Sequence, residues 1–311
     1  MDKSQTLKGF KILDLSHRLP GPLGTHILTQ LGAQVTKIED QKFKDAFLEG
    51  LFSDFDSSFK YWYENLNKDK EVIRLDFKSD DFGDQLDQYL AKSDAVLLSL
   101  PPKLIEKFQL NPERLAQINP NLAVVVPGSS KRPVGPMHDL NALALTGLLD
   151  LYLADKEGDI VSPPFLPLTG IGFGQQIASD ILASLLRAKT DNRVVWTETF
   201  LLETAEEVYL PFWPQQDREV GKTKFLHNGA FPCYCLYRTS DNQMVAVAAV
   251  EEKFWLEFAE IFNIEFDADN RFNRSQDYFQ QVAQKIKALS FQEVNTKLAE
   301  RQICVSTVKL P

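Results

Sequence analysis

Residues 10–39, FKILDLSHRLPGPLGTHILTQLGAQVTKIE, decide the fold. Phe10-Lys11-Ile12-Leu13-Asp14-Leu15 reads as a short buried strand, a mostly apolar run closed by a turn signal. That signal is Leu19-Pro20-Gly21-Pro22. Leu23, Ile27, Leu28 and Leu31 then recur at helical spacing, and Gly32 ends the helix. Gln34-Val35-Thr36-Lys37-Ile38-Glu39 is a second strand. Strand, turn, helix and strand within about 30 residues is the size of a parallel crossover.

The same rhythm returns downstream. Val72 to Asp76 reads as a strand, and Asp80 to Lys92 as a polar helix with Phe82, Leu86 and Leu90 on one stripe. Ala95 to Ser99 is another buried strand. Pro101 to Lys107 opens a short helix, Asn111-Pro112-Glu113 caps the next, and Leu122 to Val126 is a strand. This alternation argues for an α/β chain with a mostly parallel, doubly wound sheet. Beyond Gly128, Asn141 to Leu153 and Gly174 to Lys189 read as long, nearly all-apolar helices, the buried kind. Val194 to Val208 continues a strand into a helix. From Phe231 the pattern becomes antiparallel: Phe231 to Arg238, a turn at Thr239 to Asn242, then Met244 to Val250. Helices are expected at Glu252 to Phe262, Tyr278 to Leu289 and Phe291 to Arg301. A large domain over 1–212 and a smaller α+β domain over 213–311 follow.

Composition narrows the function. The 311 residues carry 34 basic and 43 acidic side chains, a net charge of -9. The length suits about two domains or one large one. With 44% hydrophobic and 25% charged residues, wholesale disorder is excluded. The acidic balance argues against nucleic acid as a partner. No apolar run approaches the ~20 residues of a membrane span. The opening MDKSQTLKGFKILDL lacks the pattern of a signal peptide. Cys233 and Cys235 stand two apart on an expected strand and Cys304 is alone, which fits a reducing cytoplasm without a disulfide framework. His17, His26, His138 and His227 are not at metal-ligand spacing, so no metal is expected. There is no Gly-x-Gly-x-x-Gly after the first strand, no Walker-type lysine loop and no Gly-x-Ser-x-Gly elbow. Motifs alone lead to a cytoplasmic α/β protein acting on a small molecule.

Several segments in fixed order add to this. They are Leu7-Lys8-Gly9-Phe10-Lys11-Ile12-Leu13-Asp14-Leu15-Ser16, Leu19-Pro20-Gly21-Pro22 and Leu31-Gly32-Ala33-Gln34-Val35-Thr36-Lys37-Ile38-Glu39. Asn65-Leu66-Asn67-Lys68, Leu75-Asp76-Phe77-Lys78, Ser93 to Leu97 and Gly135-Pro136-Met137-His138-Asp139-Leu140-Asn141 continue the series, with Glu198 to Glu203 and Asn228 to Glu251 completing it. Together they resemble the class III CoA-transferases and 2-methylacyl-CoA racemases over nearly the whole chain. The His-Asp-x-Asn form, with Thr146-Gly147 following, resembles the racemase branch more than the transferases.

The resemblance implies a Rossmann-like large domain, a smaller α+β domain and an acyl-CoA substrate. Coenzyme A enters as part of that substrate, with no permanently bound cofactor. Racemisation at an acyl-CoA needs a base on the weakly acidic proton α to the thioester and an acid on the opposite face. An imidazole with an unperturbed pKa near ~6.5 suits either role. By resemblance His138 is the base, Glu251 orients it and Asp139 stands beside it. CoA contacts are implied at Leu75, Lys78, Leu100, Lys107, Met137 and Asn141. Read from the residues alone, Lys78 and Lys107 are solvated surface charges. Asp139 is equally a cap for a helix beginning near Asn141, and Glu251 a charge at a helix N-terminus.

The chain also departs from the family pattern. The family's catalytic aspartate should fall within Pro163 to Gly174, where Thr169, Gly170 or Ile171 takes its place. Asp159 and Asp180 are the nearest carboxylates. The transferase mechanism suffers most, because there the same aspartate attacks the thioester. Family arginines at the CoA phosphates are replaced by Asp40 and Pro101. Three readings result: a racemase-like acyl-CoA enzyme, an impaired relative that binds an acyl-CoA or another ligand, and, weaker, a CoA-transferase. Relatives interlock as two rings through a chain return that should start near Ile303 to Pro311. A monomer or non-interlocked dimer is therefore expected here, and Glu203, Glu206 and Glu207 are compatible with it.

Overall fold

The computed structural model describes residues 5–153, 156, 158–212, 225–265 and 267–309. The chain divides into two compact units, Met1–Leu149 with Ile160–Gln215, and Asp150–Asp159 with Gln216–Pro311. The boundary expected at 212/213 falls at the edge of the described residues.

The first unit begins β1 (Lys11–Asp14), α1 (Pro20–Gln30), β2 (Gln34–Asp40), α2 (Ser58–Asn67) and β3 (Glu71–Leu75). It continues α3 (Phe82–Lys92), β4 (Ala95–Leu97), α4 (Pro102–Lys107), α5 (Pro112–Ile118), β5 (Ala123–Gly128) and α6 (Asp139–Thr146). After α7 (Leu148–Leu153), most of which falls in the second unit, come α8 (Leu168–Asp191), β6 (Val195–Phe200) and α9 (Leu201–Tyr209). All six strands pair in parallel, in the order β3-β2-β1-β4-β5-β6. The order reverses between β1 and β4, and such a reversal leaves a crevice at the carboxyl ends of the strands.

Strand alternation builds two cores from one sheet. Ile12, Val35, Leu97 and Val125 join α1, α8 and α9 in one cluster. Their neighbours Leu13, Ile38, Val96 and Val124 join α3 and α5 in the other. Both faces are covered, which is why the central strands β4 and β5 are apolar rather than alternating with polar residues. Helices α1 and α8 meet at glycines. A Cβ on Gly24 would lie 2.7 Å from Ile177 Cγ2, and one on Gly174 would lie 2.8 Å from Leu23 Cδ2.

The second unit holds β7 (Tyr234–Arg238), β8 (Met244–Ala248), α10 (Glu252–Phe262), α11 (Gln276–Lys287), α12 (Phe291–Leu298) and β9 (Val305–Thr307). Strands β7 and β8 form an antiparallel hairpin, and β9 adds to β8, also antiparallel. Trp255, Phe258, Val282, Ile286 and Val294 pack against Val245 and Val247 to make its core.

Several elements differ from expectation. The helix expected over Asn141 to Leu153 is two, because Gly147 turns left-handed at φ +76° and closes α6. Helix α8 starts at Leu168 rather than Gly174. Strand β7 starts at Tyr234, since Pro232 has no N–H for the ladder. Helix α2 and strand β9 are additional to the expected elements.

Candidate active site

The crevice is floored by a buried ionic network at the end of β1. Asp14 is fully buried, and its Oδ1 accepts from the Ser16 amide at 2.9 Å and the Ser16 hydroxyl at 2.5 Å. Its Oδ2 accepts from Thr25 Oγ1 at 2.5 Å and from Lys70 Nζ at 3.2 Å. Lys70 also donates to Pro22 O and Asn67 Oδ1, and Lys37 donates to the Ser16 carbonyl. Burial alone would raise the Asp14 pKa, but Lys37, Lys70 and the two hydroxyls outweigh it and hold the carboxyl well below its ordinary range. Burial pushes Lys70 down to about 8 against the pull of Asp14. Glu39, on β2, stands 3.8 Å from Lys37 and accepts from Tyr63 Oη at 2.9 Å. These bonds fix the turn 16–19 on which the crevice opens.

Above that floor lie two connected cavities. One, about 390 Å³, is lined by Glu39, Asp40, Phe43, Lys78, Leu100 and Pro101 among others. The other, about 500 Å³, is lined by Phe52, Phe59, Trp62, Met137, His138 and Asp139 among others. Ser16, His17, Arg18 and Ser99 line both, so the two form one cleft along the carboxyl edge of the sheet. Gly21 is required at this neck: a Cβ there would lie 2.2 Å from Ser16 Oγ. His17 is reachable from the cleft yet flanked by protein. The lost solvation lowers its pKa, against the opposing pull of Asp45.

His138 and Asp139 stand where α6 begins. His138 is exposed and precedes the helix in extended conformation, and its amide donates to Asn141 Oδ1 at 2.9 Å. Asn141, not Asp139, thus braces the start of α6. The Asp139 carboxylate reaches across to α8. Its Oδ1 accepts from Thr169 Oγ1 at 2.5 Å and from the Gly170 amide at 2.8 Å. That bond satisfies an amide in the first turn of α8, where the preceding residue, Pro167, makes no side-chain cap. A carboxylate is therefore delivered to the start of α8 from another segment, although residues 169–171 are Thr, Gly and Ile.

A model of CoA-transferase family III matches residues 7–311. The chain belongs to that family. It is 28% identical over 265 residues to alpha-methylacyl-CoA racemase of Homo sapiens, covering 80% of this chain and 63% of that protein. The Mus musculus racemase is 26% identical, with 80% and 62% covered. The chain thus spans less than two thirds of the length of these relatives. Among solved structures, a CAIB/BAIF family protein from Brucella suis superposes with TM-score 0.77 at 18% identity, covering 98% of this chain and 84% of that one. Rv3272 from M. tuberculosis gives 0.72 at 17%, covering 98% and 83%. At such identities the superpositions speak to the fold.

The cleft gathers some of the expected site residues and not others. Met137, His138 and Asp139 line the larger cavity, and Lys78 and Leu100 the smaller. Leu75, at the end of β3, packs against the core beside α3. Lys107, the last residue of α4, has its ammonium over the Phe108 ring at 4.8 Å. Asn141 serves the backbone of His138, as above. Glu251 is exposed in the second unit and precedes α10, its carbonyl accepting from the Phe254 and Trp255 amides. Asp40, in the smaller cavity, accepts from the Lys42 and Phe43 amides at 2.7 and 2.8 Å. Glu203 accepts from Ser130, and Glu206 pairs with Arg132 at 2.7 Å, so two of the three α9 glutamates hold a loop. Sequence reasoning gave no role to His17 or Arg18 and missed the aromatic wall of Phe52, Phe59 and Trp62. Their signal was position: residues directly after the first strand of a doubly wound sheet face its crevice. Among the described residues, no cluster of His, Cys, Asp and Glu could hold a metal ion. No described helix is long and apolar enough to cross a membrane.

Proposed function

We propose that the chain binds an acyl-CoA along this cleft and exchanges the proton α to the thioester through His138, in the manner of a racemase. The supporting observation is the pair of adjoining cavities at the strand-order reversal, with His138 and Asp139 on the wall of the larger one. The smaller cavity, with Lys78, takes the CoA side, and the aromatic larger cavity takes the acyl side. His138 is the base. Asp139, held against the start of α8, is the second proton-carrying group near the substrate. Residues 169–171 offer no carboxylate to form an acyl intermediate, so group transfer is less favoured than proton exchange.

Deuterium incorporation from D₂O into a 2-methylacyl-CoA tests this. The wild type should exchange the α-proton. His138→Ala should slow exchange by about 10²–10⁴-fold, the range for a lost general base. Tight CoA binding without exchange would favour the impaired relative. Exchange that survives His138→Ala would remove His138 from the mechanism.

A further inference from the structure

Among the described residues, two cations of the cleft pair with no acidic side chain: Lys78, over the Phe43 ring at 5.0 Å in the smaller cavity, and Arg18. Glu39 bonds Tyr63 and pairs with Arg74 at 3.3 Å. Asp40 is occupied by turn amides, and Asp139 by Thr169 and Gly170. Asp45 is buried, its Oδ2 accepting from the Arg18 amide at 2.7 Å and its Oδ1 from the Phe47 amide at 2.9 Å. Lys44 pairs with Glu49. Arg18 is different: among the described residues, no acidic side chain pairs with its guanidinium, which lies over the face of Phe52 at 5.6 Å. Its backbone is left-handed at φ +65°, a conformation that residues with a Cβ rarely adopt. The buried Asp45 carboxylate holds it there. Strain kept at an exposed arginine in the neck of a cleft marks a functional position.

We propose that Arg18 is the oxyanion receptor of the cleft and reads a carboxylate carried by the acyl group, which makes the substrate class a carboxyl-bearing acyl-CoA. This rests on the acyl-CoA reading above. A planar guanidinium presents paired N–H donors that match two oxygens of one anion. A CoA diphosphate and an acyl carboxylate both offer such a pair. Position decides between them. Arg18 lines both cavities, but its guanidinium lies over Phe52, on the aromatic wall of the larger cavity that also holds His138. A thioester presented to His138 leaves the diphosphate a whole pantetheine arm away, whereas a carboxylate a few bonds along the acyl chain stays within reach.

The test measures calorimetric binding of glutaryl-CoA, butyryl-CoA, CoA and free glutarate to the full chain and to Arg18→Gly and Arg18→Lys. Glycine suits a positive φ, so Arg18→Gly removes the guanidinium while relaxing the backbone and keeping the fold. Glutaryl-CoA affinity should fall about 10–100-fold in Arg18→Gly, with butyryl-CoA and CoA changed less than about twofold. Arg18→Lys should recover part of the loss, a point charge without the fork. Equal losses for all three CoA ligands would assign Arg18 to the diphosphate and overturn the proposal, as would no loss at all. If the wild type binds glutarate in an Arg18-dependent way but no CoA compound, the receptor stands and the acyl-CoA reading falls.

Discussion

At the residue scale the decisive group is Asp14, which does no chemistry but fixes the turn that carries Ser16, His17 and Arg18. Replacing it with asparagine leaves Lys70 buried without its ion-pair partner and Lys37 with Glu39 alone. Asp14→Asn should lower stability by about 3–5 kcal/mol in urea unfolding at pH 7. The pH dependence has a definite sign. The folded pKa of Asp14 lies below its unfolded value. The stabilisation is therefore present above about pH 4 and is lost as pH falls through the folded value. Urea midpoints at pH 7, 4 and 3 should show that loss in the wild type and a shallower one in Asp14→Asn. Identical acid sensitivity in both would contradict the network's role. His138 is exposed, so His138→Ala should change stability by no more than about 0.5 kcal/mol while it removes proton exchange.

At the element scale, the α1–α8 contact and the start of α8 set the cleft's shape. Gly24→Ala would force Ile177 and the Gly174 carbonyl aside, at a cost of about 1–3 kcal/mol. Differential scanning calorimetry of Gly24→Ala should show a lower Tm; an unchanged Tm would mean that the two helices slide apart freely. Asp139→Ala should cost about 0.5–2 kcal/mol through the lost cap on α8 and also reduce proton exchange. Loss of stability with full exchange would leave Asp139 only its structural part. Most elements were legible because local signals fix them: Pro20 and Gly32 bound α1, and Phe82, Leu86 and Leu90 mark α3. The start of α8 was not, because Gly170, Gly172 and Gly174 weaken its helical signal and its cap comes from Asp139, about 30 residues earlier. Strand β9 is only three residues long and gains its place by pairing with β8.

At the scale of the whole molecule, the doubly wound sheet could be read from alternating strands and helices, and the family from segments in fixed order. Met137, His138 and Asp139 came with that order. The floor of the site did not, because Asp14 meets Thr25 and Lys70 from 11 and 56 residues away. Only the fold brings those partners together, and only the order reversal at β1 and β4 turns His17 and Arg18 into cleft residues. The proposed function has this one cleft receive an acyl-CoA with its α-carbon presented to His138. A crystal structure with a thioether analogue of a 2-methylacyl-CoA measures this directly. The expected result is CoA along the carboxyl edge of the sheet beside Lys78 and Leu100, passing Ser16 and Ser99, with the α-carbon against the His138 imidazole. Density for the analogue outside the cleft, or an α-carbon turned away from His138, would contradict it.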